Sequence, residues 1–168
     1  MENHQRGVAA IPDVMVTAMR TYLSVLHADP DADPAELGRR LVAQVTASGV
    51  AGFEVLALAV FTVAARRRFA PAWTSAEVIR YVARVRSGSA EMAARLDAVA
   101  AETQLRIALG QNVPPHPDMA ARVEAQMFLL EPLTDGCTGD DLDSLLCGAR
   151  AMADEMLARQ PAPVSRER

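Results

Sequence analysis

A carboxylate set among oily residues is a candidate acid or base, and Glu54 has that setting. It stands in the first turns of a segment, 50–69, that is apolar until its final arginines. As a possible buried acid it would have a raised pKa, which suits proton transfer. The same position also suits a structural part, because a glutamate near a helix N-terminus meets free N–H groups and the positive end of the dipole. An arginine from another helix is a further partner for it. Sequence places no histidine or second acid beside it, so the structural part is favoured and no catalytic residue is assigned.

Metal and nucleophile chemistry find less support. Asp29, Asp31 and Asp33 alternate like the start of a calcium loop, but Pro34 stands where that loop needs glycine and Arg40 where it needs a bidentate glutamate. His4, His27 and His116 lack zinc spacing. No Glu-x-x-His pair is present for a di-iron centre. No serine sits in Gly-x-Ser-x-Gly. Cys137 precedes a helix in the turn Asp135-Gly136-Cys137-Thr138-Gly139, where the N-terminal field can lower a thiol pKa; an ordinary turn cysteine is the favoured alternative. Cys147 lies beside an apolar stripe and reads as a small core residue. All 17 basic residues are arginine, a bias that suits a GC-rich genome. Schiff-base enzymes, P-loop nucleotide binders and Ser-Lys pairs need a lysine amine and are excluded. No metal, no cofactor and no enzyme activity are expected.

Charge is the more informative pattern. Residues 66–95 carry seven arginines against two acids, while the chain as a whole has net charge −4. Arg66, Arg67, Arg68, Arg80 and Arg84, with Trp73 near them, form a candidate basic patch over 66–86. Arg80 and Arg84 are four apart and share a helix face. One reading is a helix-turn-helix-like nucleic-acid site with phosphate contacts. The other, favoured, has the arginines complement a helix dipole and pair with Asp140, Asp141, Asp143, Asp154 and Glu155. The turn Phe69-Ala70-Pro71-Ala72-Trp73 is long for a helix-turn-helix, and a pI near 5.4 is low for a DNA-binding domain.

A second candidate surface is apolar. In Met127-Phe128-Leu129-Leu130, four successive apolar residues wrap a helix. At least one of Met127, Phe128 and Leu129 is then expected to face a partner, unless the helix is buried on both sides.

The elements that must position these residues are helices. Prolines fall between segments that repeat apolar residues at helical spacing, and proline inside a helix costs about 3 kcal/mol. Asp33 before Pro34 is a helix cap, and Thr74-Ser75-Ala76-Glu77 is a capping box. The spacing predicts helices over about 12–27, from 34, over 50–69, from 75, from 89 to just before Gly110, over 117–130 and from 138. Met119, Val123, Met127 and Leu130 are the expected inner stripe of the sixth. The composition agrees, with 32 alanines and 4% aromatic residues. No alternating strand pattern occurs.

The expectation is an all-α, single-domain antiparallel bundle of about six to seven helices around a central apolar helix, about 50–69. Residues 1–10 read as a flexible N-terminus, 11–160 as the helical domain and 161–168 as a disordered tail. The N-terminus lacks an apolar signal core, and no apolar run is long enough to span a membrane. Two cysteines are too few for a disulfide framework. A cytoplasmic protein is expected. Its function is not legible. The favoured reading is a non-enzymatic interaction or regulatory protein that binds another protein or itself as a homodimer. A nucleic-acid-binding regulator and a small-molecule-binding helical domain are the alternatives.

Overall fold

The computed structural model describes residues 10–29, 31–47, 52–69, 71–137 and 139–159. Among them are eight helices and no strand: α1 Asp13–Ala28, α2 Pro34–Ala47, α3 Phe53–Phe69, α4 Ser75–Arg86, α5 Ala90–Arg95, α6 Ala98–Ala108, α7 Met119–Thr134 and α8 Gly139–Ala158. The chain is all-α. The expectations for an N-terminal and a C-terminal tail concern residues that lie, apart from Ala10, outside the described ones.

Helix α3 explains much of the arrangement. It buries Phe53, Leu56, Val60, Phe61 and Phe69 with four residues no larger than alanine or threonine between them. Apolar on nearly every side, it packs against α1, α6, α7 and α8. Helix α8 presents Leu142, Leu145, Leu146, Ala149 and Ala153 to the core. A fully buried side chain such as Phe61 contributes about 2–3 kcal/mol by leaving water.

Local signals set the helix starts. Asp33 accepts from the Ala35 and Glu36 N–H groups at 2.9 and 3.3 Å. In α4 the capping box closes from both sides: the Glu77 N–H donates to Thr74 Oγ1 at 3.2 Å, and the Thr74 N–H donates to Glu77 Oε2 at 2.7 Å. Asp118 caps α7 through the Ala120 N–H at 2.8 Å.

Two expectations are corrected. The single helix from 89 to before Gly110 is two, α5 and α6. Asp97 leaves the helical conformation and accepts from the Ala100 N–H at 2.7 Å, so it starts a new helix. The break lets Leu96 turn fully into the core. Helix α7 runs past 130 and contains Pro132, and its phase differs from the predicted stripe. Met119 and Val123 are 67% and 48% exposed, while Ala125, Phe128, Leu129 and Leu133 face inward. A helix apolar on most sides does not select its own inner face; its neighbours do.

Helix α2 is held more lightly, with Ala35 and Val45 buried and Leu37, Leu41 and Val42 half-buried. Its Gly38 allows close contact with α7, because a Cβ there would stand 2.8 Å from Met127 Sδ.

Candidate functional site

The five patch arginines divide into two groups. Arg66 and Arg67, at the end of α3, tie helices together. Arg66 Nε donates to the Ala108 carbonyl at 2.9 Å, at the end of α6. Arg67 donates to the Asp141 carbonyl at 3.1 Å and to Ser144 Oγ at 2.9 Å, in the first turns of α8. In the structure these two act as interhelical ties. Their partners are chiefly carbonyl oxygens, not the acids expected from sequence. Asp143 pairs instead with Arg20, and Glu155 with Arg159. Asp154 accepts from the Ile11 N–H at 2.7 Å.

Arg68, Arg80 and Arg84 form no ion pair among the described residues. The Arg68 guanidinium lies over the Tyr81 ring, 5.5 Å from its centre, and near Phe69 at 6.0 Å. Phe69 and Tyr81 meet edge to face at 5.3 Å and 76°. The three arginines border a cleft of about 300 Å³, floored by Phe69, Ala72 and Tyr81. Its one acid, Glu77, is engaged in the capping box, accepting from Thr74 N and Oγ1 at 2.7 and 2.9 Å. Trp73 is half-buried against the core and does not line the cleft.

Arg68, Tyr81 and Arg84 also form one wall of a second, larger cleft of about 460 Å³. The end of α7 lines the same cleft, with Glu131, Pro132 and Asp135. Burial, and then the neighbouring Asp135, raises the Glu131 carboxyl above the ordinary range, with His27 offsetting part of this. Tyr81, which both clefts share, is only 6% exposed, and its hydroxyl is closed to solvent without a hydrogen-bond partner among the described residues. Burial raises its pKa, and Arg68, Glu131, Arg84 and Asp135 all act on it. Nothing in the sequence alone singled out Glu131 and Asp135. Their spacing of four on a helix was the available signal, but only the fold brings them opposite α4.

The remaining candidates are placed differently. Glu54 is exposed in the first turn of α3, so the expectation of a buried acid is corrected. Helix α3 begins at Phe53, and its first turn still reaches solvent. Phe128 and Leu129 are 3% and 0% exposed and are corrected from partner surface to core. Met127 is half-buried and lines an apolar groove between α2 and α7 with Ala35, Val42 and Val123. Tyr22 Oη donates to the Pro34 carbonyl at 3.2 Å and lies 3.4 Å from Met127 Sδ. Cys137 is half-buried, and burial and Asp141 push its thiol up, opposite to the lowering that a helix N-terminus can give and in line with the favoured ordinary turn cysteine. Cys147 is exposed, not a core residue.

Among the described residues, no three His, Cys, Asp or Glu side chains are grouped to hold a metal ion. No helix among them is long and apolar enough to cross a membrane. Comparison with protein-family models, curated proteins and solved structures finds no match for this chain.

Proposed function

We propose that this chain is a non-enzymatic binding protein, a helical-bundle scaffold that captures an acidic segment of another protein in the cleft of Arg68, Arg80 and Arg84. One observation carries the reading: three guanidiniums without a carboxylate partner among the described residues border a concave cleft of about 300 Å³. Guanidiniums bind carboxylates and phosphates through paired donors. With no carboxylate bonded to them among the described residues, they are suited to an anion supplied by a partner.

A short anionic segment suits this cleft better than a nucleic-acid duplex. Duplex binding draws on many phosphate contacts along an extended basic track. Here Glu131 and Asp135 stand beside Arg84, and the chain carries net charge −4. Both repel a long polyanion.

Fluorescence anisotropy tests the reading with a labelled oligo-glutamate peptide and a labelled short DNA duplex. The peptide is expected to bind, with affinity that falls as salt rises. Arg80→Glu is expected to weaken it roughly tenfold or more, as removing one charge-assisted contact and adding repulsion predicts. A chain that binds the duplex and not the peptide would move the assignment to the nucleic-acid reading. A second copy of this chain is the other source of acidic segments, and sedimentation velocity across a concentration series tests for the homodimer.

A further inference from the structure

The second cleft is built unlike the first. Its basic wall is Arg68 and Arg84, and its acidic wall is Glu131 and Asp135. Val85, Met92 and Pro132 supply apolar surface to the same cavity. Neither arginine forms an ion pair with either carboxylate. Opposite charges thus face one cavity without neutralising each other directly. All four nevertheless lie close enough to act on the one Tyr81 hydroxyl.

An arrangement of this kind discriminates. A ligand bearing only negative charge meets Glu131 and Asp135, and one bearing only positive charge meets Arg68 and Arg84. A molecule carrying both charges a few bonds apart satisfies both walls. The cavity, about 460 Å³, lies within the ~300–1,000 Å³ of small-molecule sites. Its apolar surface has room for a short aliphatic group.

We propose that this cleft binds a small zwitterion, an α-amino acid with an apolar side chain. The carboxylate would lie against Arg68 and Arg84, the ammonium against Glu131 and Asp135, and the side chain on Val85, Met92 and Pro132. The two sites are distinguishable although they overlap: Arg80 and Glu77 line only the first cleft, and Glu131 and Asp135 only the second. Because both clefts share Arg68 and Arg84, an amino acid here would compete with a captured acidic segment for the same guanidiniums.

The test uses the full chain with free leucine, valine and methionine, read by thermal shift and titration calorimetry. A saturable rise in melting temperature is expected. N-acetyl-leucine loses the ammonium and leucine amide loses the carboxylate, and each is expected to bind roughly tenfold or more weakly, the loss of one charge-assisted contact. Glu131→Gln and Asp135→Asn, each checked for native far-UV circular dichroism, are expected to weaken leucine binding likewise. The proposal is overturned if none of the three amino acids binds at millimolar concentration. It is equally overturned if the blocked derivatives match leucine, or if both folded variants bind as the parent does. Leucine and the oligo-glutamate peptide are separate probes of the unmodified chain, so either reading can fail alone.

Discussion

Tyr81→Phe is expected to make this protein more stable, although it removes a polar group from a candidate site. The Tyr81 ring is packed edge-on against Phe69 and beneath the Arg68 guanidinium, and phenylalanine keeps both contacts. What it removes is a hydroxyl closed to solvent with no hydrogen-bond partner among the described residues. In the unfolded chain that hydroxyl is hydrated, so folding loses its hydrogen bonds to water and regains none. An unsatisfied buried polar group costs about 1–3 kcal/mol. Phenylalanine weakens the stacking of Arg68 only slightly, so a net gain of about 1 kcal/mol is expected. For a domain of this size that raises Tm by roughly 2–4 °C. Urea denaturation followed by far-UV circular dichroism gives the free-energy change directly. A Tyr81→Phe protein less stable than the parent by about 1 kcal/mol would refute the reasoning, since that is the loss of a made hydrogen bond. Tyr81→Ala is the internal control: it discards the ring as well and is expected to cost about 3–5 kcal/mol.

Glu131→Gln is expected to raise stability at neutral pH. A carboxyl whose folded pKa lies above its unfolded one contributes stability below the unfolded value and loses it as pH rises through the folded one. The variant's advantage should therefore shrink as the solution is acidified toward the ordinary glutamate range, and a variant less stable at neutral pH would contradict the burial argument. Arg95→Ala acts in the opposite sense. Arg95 bonds Asp33 at 3.0 Å and Glu91 at 2.9 Å, and lies over the Phe128 ring at 4.8 Å. Burial raises the Asp33 carboxyl, but the Arg95 hydrogen bond and the cap N–H groups together hold it below its ordinary value. The stability tied to that depression is present above the ordinary aspartate range and is lost as pH falls through the folded value. The variant's deficit in a thermal melt should accordingly be large at neutral pH and narrow in acid, and a deficit independent of pH would assign Arg95 to packing alone.

The helical class, most helix starts and the caps at Asp33 and Thr74 were legible in the chain. These depend on groups within about four residues of one another, whose geometry the backbone sets. The excess of arginine over 66–95 was legible for the same reason. What those arginines do was not. Arg66 is tied to a carbonyl 42 residues away and Arg67 to a hydroxyl 77 residues away, while Arg68, Arg80 and Arg84 remain around a cavity that exists only once α3 and α4 pack. The inner face of α7 was equally hidden, since a helix apolar on most sides offers several faces and the helices around it decide which is buried. Glu131 and Asp135 entered the site on that choice of face. A local pattern records only what neighbours along the chain do to each other, whereas charge opposing charge across a cleft depends on helices distant in sequence and is set by how their side chains pack.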